Sequence, residues 1–171
     1  MTSAYSGDRE AREDGLEVQM ESGTGIDGGQ PPERGRLREQ VARLEVQDLV
    51  LLVAGLLRAM GYAIQASAAG LEEAEELLAT PATGGAQTPR TRVRLVHRPA
   101  TPADAADIRG FVGERQPGER GWYVSTGGFR DDARDAVTRA EEMRLLDLSE
   151  LASELVEYYD RLDPSTRALL D

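Results

Sequence analysis

Four arginines stand on one register of a strand-forming stretch. Thr91-Arg92-Val93-Arg94-Leu95-Val96-His97-Arg98 is rich in β-branched and apolar residues, and Pro99 stops it. Alternation along a strand puts Arg90, Arg92, Arg94 and Arg98 on one face together with Val96. A row of guanidinium groups suits phosphate, because each can make a bidentate contact, so this face can hold a nucleic-acid backbone. The competing expectation comes from Glu72, Glu73, Glu75 and Glu76 in the neighbouring segment. Paired with the arginines, they make a closed and inert salt-bridge face; unpaired, they are solvated acids on a charged segment. His97 is the only histidine and falls on the opposite parity, towards the helices, where a satisfied, partly buried imidazole is expected rather than a ligand or general base.

Two glycine patterns carry less. Ser125-Thr126-Gly127-Gly128 ahead of a helix can offer backbone amides to a phosphate oxygen, but Asp131 and Asp132 at that helix start disfavour an anion, and a tight strand-to-helix turn is expected. Gly23-Thr24-Gly25-Ile26-Asp27-Gly28 satisfies G-x-G-x-x-G, yet Gly29-Gln30-Pro31-Pro32 cannot open the helix that a nucleotide fingerprint needs. No P-loop or nucleophile elbow is present.

The elements that must position the arginine strand read as follows. Arg36 to Leu44 is expected to be helical, with Leu37, Val41 and Leu44 on one stripe. The strongest helix follows from Val46 to Met60, closed by Gly61, and Tyr62 to Ser67 reads as an edge-like strand. Gly70 to Ala79 contains helix formers at helical spacing. After Pro99, Thr101 or Asp104 can cap a helix running to Glu114, since Ala105, Ile108, Phe111 and Val112 recur at helical spacing. Gly121 to Ser125 is a second short strand, so the unit is strand, helix, strand with parallel strands. A helix over Asp131 to Met143, a strand over Arg144 to Leu148, a helix from Ser149 to Leu162 and a last turn from Pro164 complete the chain.

Composition sets the outer bounds. The 171 residues hold one ordinary domain and a tail: residues 1–35 are expected to be a disordered acidic tail and residues 36–171 the domain. There is no cysteine, which excludes disulfides and thiolate zinc sites. No stretch is long enough to span a bilayer and the first thirty residues lack an apolar signal-peptide core, so a cytoplasmic protein is expected. A net charge of -11 argues against bulk electrostatic binding of nucleic acid, though not against a local basic groove. Every basic residue is arginine; the chain has no lysine.

His97-Arg98-Pro99-Ala100-Thr101-Pro102, Asp107-Ile108-Arg109-Gly110-Phe111-Val112-Gly113 and Gly118 to Phe129, arriving in that order, resemble the nuclease domain of Mrr-type restriction endonucleases, a branch of the PD-(D/E)xK superfamily. Leu56-Leu57-Arg58-Ala59-Met60-Gly61-Tyr62 adds to the likeness. The resemblance implies an α/β, restriction-endonuclease-like core: a central mixed sheet of about five strands flanked by helices, with the latter half of Gly70 to Ala79 a strand. It also implies a magnesium site built from an acid on one strand, an acid or glutamine and a lysine two apart on the next, and often a glutamate from the first helix. Carried over by position, Glu76 takes the aspartate place, Arg94 and Val96 the two places of the paired motif, and Val50 or Leu51 the helix glutamate. Glu76 is thus a weak candidate metal ligand, and no lysine can replace the missing one.

The function expected from this is a Mrr-like domain of a DNA-defence or restriction context, catalytically degenerate, acting on DNA through Arg90, Arg92, Arg94 and Arg98 or on a partner protein or second copy, and needing no cofactor. One alternative is an active magnesium-dependent endonuclease using Glu76 with relocated ligands such as Asp48. A second is a protein-binding regulator with no role at DNA.

Overall fold

Odd and even positions of the central strands part between two helical layers, and this split places every candidate residue. A computed structural model describes residues 32–66, 76–85, 88–138 and 142–171. Most of the expected tail, and with it the pattern at Gly23 to Gly28, lies outside the described residues, as do Glu72, Glu73 and Glu75.

Helix α1 (Arg34–Arg43) buries Leu37 and Val41, and α2 (Val46–Ala59) is buried almost all round. Each of the fully buried leucines of α2 contributes about 2 kcal/mol of hydrophobic stabilisation. Gly61 follows α2 with a φ of 98°, the left-handed conformation that ends helices, and β1 (Tyr62–Ala66) leaves from it. Strands β2 (Glu76–Pro81) and β3 (Thr91–Val96) come next, then α3 (Ala105–Glu114), β4 (Arg120–Ser125), α4 (Asp131–Thr138), β5 (Met143–Leu146), α5 (Leu148–Tyr158), a 3-10 turn at Tyr159–Arg161 and α6 (Pro164–Ala168). No described helix is long and apolar enough to cross a membrane.

The five strands form one mixed sheet in the order β1-β2-β3-β4-β5. The first two pairings are antiparallel and the last two parallel, so the strand-helix-strand unit of the sequence stands as expected and β1 lies at an edge. Leu77, Ala79, Val93, Leu95, Val124 and Leu146 point into one core with α1, α2 and α5. On the other face Tyr123 and Leu145 pack with Ile108 and Phe111 of α3 and Ala133 of α4.

Glu76–Pro81 is strand, as the resemblance implies and despite its helix formers, because Leu77 and Ala79 alternate into the core between β1 and β3. Two boundaries differ from expectation. The helix expected to reach Met143 is described as α4 over Asp131–Thr138, and Met143 itself opens β5, paired with Gly121. Leu148, expected as the end of that strand, instead begins α5 behind an Asp147–Glu150 capping box.

Candidate functional site

The site is built by three elements around β3. Arg92 and Arg94 alternate with buried Thr91, Val93 and Leu95, so they emerge on the α3 side of the sheet. Glu76 opens β2 and lies directly across from Arg94 in the antiparallel register. The C-terminal turn of α3 brings Phe111 and Glu114 over the same face. A turn at Gln116 to Glu119 then delivers Glu119 just before β4. That turn is held by Glu119 N donating to Gln116 O at 3.0 Å and Gln116 N donating to Glu119 Oε2 at 2.9 Å.

The charges interlock. Arg94 Nε donates to Glu76 Oε1 at 2.9 Å, and its Nη2 donates to both Glu76 Oε1 and Glu114 Oε2. The Arg94 guanidinium carbon also stands 5.1 Å from the centre of the Phe111 ring, a cation–π distance. Arg92 Nη1 donates to Glu76 Oε2 at 3.4 Å and Arg92 Nε to Glu119 Oε2 at 3.2 Å. Two guanidinium groups therefore sit among three carboxylates from a strand, a helix end and a turn. Burial pulls the Arg94 pKa down, but the hydrogen bonds and charges of Glu76 and Glu114 together outweigh it and hold the pKa above its ordinary value.

The other expected site residues separate from this cluster. Arg90 and Arg98 flank β3, are exposed, and form no salt bridge among the described residues. Val96 is half-buried against the apolar cluster that includes Phe111 and Tyr123, an environment suited to its methyl groups. His97 is half-buried, but its Nδ1 is buried without a hydrogen-bond partner among the described residues, against the expectation of a satisfied ring. Val50 is buried, Leu51 is exposed, and Asp48 is half-buried on α2, the helix packed against the opposite face of the sheet. Glu114 and Glu119 were not legible as site residues; the only signal was an acid at the helix end and another in the turn before the strand.

The Ser125 to Gly128 turn is sealed rather than open. A Cβ on Gly127 would lie 2.3 Å from the carbonyl oxygens of both Arg98 and Thr101. Ala103 N donates to Gly128 O at 3.0 Å and Arg130 N to Ala103 O at 2.9 Å, zipping the loops before α3 and α4 together.

A mixed sheet with this order, helices on both faces and an acid on the second strand opposite the third defines the restriction-endonuclease class of fold. Residues 41–155 match the model of a restriction endonuclease family, Mrr_cat, and the chain belongs to that family. It is similar in fold to two solved structures at 15% identity each. One is the MspJI restriction endonuclease in complex with a 27-mer oligonucleotide (TM-score 0.54, 82% of this chain covered and 36% of that one). The other is the DNA modification-dependent restriction endonuclease AspBHI (TM-score 0.56, 83% of this chain and 40% of that one). The chain thus spans well under half the length of either. No curated protein matches it.

Nucleases of this family are typically magnesium-dependent, and the donors around Glu76 do not fit a hydrated magnesium ion. Such an ion takes six oxygens at about 2.1 Å. Here both oxygens of Glu76 accept from guanidinium groups, and the residue opposite it is a cation. Among the described residues no group of three acids or histidines is placed to hold a metal.

Proposed function

We propose that this chain is a restriction-endonuclease family domain that binds without hydrolysing, in a DNA-defence or restriction context. The observation that carries this reading is the pairing of Glu76 with Arg94 where the family's chemistry needs an acid beside an acid or glutamine. A magnesium ion would be repelled by the guanidinium, and Val96 offers no amine to orient water or offset charge on a phosphate. DNA is the first candidate ligand, contacted through Arg90 and Arg98, because Arg92 and Arg94 are already neutralised by Glu76, Glu114 and Glu119.

A second reading, a protein-binding regulator, is favoured by that same neutralisation and by the net charge of -11. Plasmid nicking with magnesium and with manganese, beside a Glu76→Ala control, tests the proposal. No nicking by folded protein is expected. Nicking that disappears in Glu76→Ala would overturn it and show a metal site rebuilt from other residues. Salt-dependent retention of duplex DNA then separates the two binding readings.

A further inference from the structure

We infer that Glu114 and Glu119, at the two ends of the turn between α3 and β4, form an autoinhibitory clamp: they occupy Arg92 and Arg94 as phosphate oxygens would and keep both arginines from duplex DNA. The inference deepens the DNA-binding reading above and rests on it.

The balance of charge carries it. With both acids in place Arg92 and Arg94 face three carboxylates, and the cluster is net negative by one. Without them only Glu76 is left, and the cluster is net positive by one. Glu76 belongs to the sheet, directly across the ladder from Arg94. Glu114 and Glu119 come from outside it, the first from the last turn of α3 and the second from the residues just before β4. One short crossover segment therefore sets the sign of the patch. Its contacts are of the kind a phosphodiester makes. Glu119 Oε2 accepts from Arg92 Nε at 3.2 Å and Glu114 Oε2 accepts from Arg94 Nη2, each an anionic oxygen on a guanidinium N–H. The Phe111 ring and Glu76 hold Arg94 independently of Glu114, so the guanidinium stays presented when that acid leaves.

The same segment is undercut on both sides. A cleft of about 360 Å³ separates the exposed turn from Thr88, Pro89 and Arg90, and another of about 450 Å³ lies on its far side, bounded by Val112, Arg115 and Glu142. What fastens it converges on Glu119, whose backbone oxygen accepts from Arg115 Nη1 at 2.8 Å and whose carboxylate accepts from Gln116 N and from Arg92. Glu119 is 9% exposed and Glu114 53%, so Glu119 is the tight end of the clamp and Glu114 the loose one. Arg90, which has no salt bridge among the described residues, lines the first cleft together with Glu119. Phosphate arriving at Arg90 thus competes with the Glu119 carboxylate for Arg92.

The experiment is fluorescence anisotropy of a labelled DNA duplex with the full chain, from about 50 to 200 mM salt. It compares wild type, Glu114→Gln/Glu119→Gln, that variant with Arg92→Ala/Arg94→Ala added, and a control, Glu39→Gln/Glu157→Gln. The control makes the same change of charge at exposed positions of α1 and α5, in the layer on the opposite face of the sheet. The unclamped variant is expected to bind more tightly than wild type, with a salt slope steeper by about 1.8, two added phosphate contacts. Adding the two arginine substitutions should abolish the gain, and the control should not reproduce it. Glu114→Gln alone, whose carboxylate accepts only from Arg94 among the described residues, should steepen the slope by about 0.9 and keeps the test open if the double variant folds poorly. A gain that survives loss of Arg92 and Arg94, or that the control matches, overturns the clamp. Binding by wild type that neither unclamped variant improves sinks the clamp alone, whereas no binding by any of these proteins sinks the DNA reading with it.

Discussion

Glu76 and Arg94 are opposite residues of antiparallel β2 and β3, with Arg94 Nε donating to Glu76 Oε1 at 2.9 Å. The strand pair thus sets an acid directly against a cation, and the two are joined by an ion pair across the β2–β3 ladder.

The pair is expected to be coupled in stability. Both side chains are partly exposed, 22% for Arg94 and 30% for Glu76, so solvent screening holds the effect below that of a fully buried pair. Glu76→Ala and Arg94→Ala should each cost about 1–2 kcal/mol in urea unfolding, with a coupling energy near 1 kcal/mol in the double-mutant cycle. Additive costs would mean that the contact is a solvated surface pair with no mechanical role.

Gly127→Ala should be among the most damaging small substitutions in the domain. The new Cβ would lie 2.3 Å from two carbonyl oxygens, Arg98 O and Thr101 O, and main chain cannot swing aside as a side chain does. We expect a loss of about 2–3 kcal/mol, read as a lower urea midpoint. Unchanged stability would show that the loops before α3 and α4 are not held together as described.

Strand alternation was readable at Arg92 and Arg94 because their neighbours Val93 and Leu95 are core residues, and a period of two needs no knowledge of the rest of the fold. The end of α3 at Glu114 was readable for the same reason, and its cap was narrowed to Thr101 or Asp104, of which Asp104 caps, because helix capping is local chemistry. What local sequence hid was tertiary. Leu71 to Leu78 has the composition of a helix, yet Glu76, Leu77 and Leu78 are strand because two neighbouring strands supply their hydrogen bonds. Glu114 and Glu119 reach the arginines only through the path of the crossover from β3 to β4, which no spacing rule encodes. Met143 looked like a helix end because Ala133, Ala136 and Ala140 repeat at helical spacing, whereas its pairing with Gly121 belongs to the sheet.

Acid should unfold the domain partly through its helix caps. The Asp104 carboxyl is held below its ordinary range by the Asp107 backbone N–H, with burial opposing, and the Asp163 carboxyl by the Thr166 backbone N–H and hydroxyl, donating at 2.9 Å each. A depressed folded pKa gives stability that is fully present above the unfolded value of about 3.9 and is lost as pH falls through the folded value. Asp163→Asn keeps a capping oxygen and removes the charge. Its deficit against wild type in urea midpoint should therefore be constant near neutrality and shrink as pH falls below the unfolded carboxyl value. A deficit that is the same at both ends of the range would assign the role of Asp163 to geometry rather than to its charge.

Binding to DNA, if it occurs through β3, should depend on the ends of the arginine row and not on its middle. Arg92 and Arg94 are each shared between two carboxylates, so presenting either to phosphate would first break salt bridges within the domain. Arg90 and Arg98 have no such partner among the described residues and lie eight positions apart, at most about 26 Å along an extended chain. That span reaches two separate phosphates of one duplex but not a single one. Each lost phosphate contact lowers the slope of log K against log salt by about 0.9 on duplex DNA. Arg90→Ala/Arg98→Ala should therefore weaken binding and flatten the slope by about 1.8, while Arg92→Ala/Arg94→Ala lowers stability and leaves the slope near that of wild type. Equal slopes for wild type and the Arg90→Ala/Arg98→Ala variant would remove β3 from any DNA contact and move the weight to a protein partner.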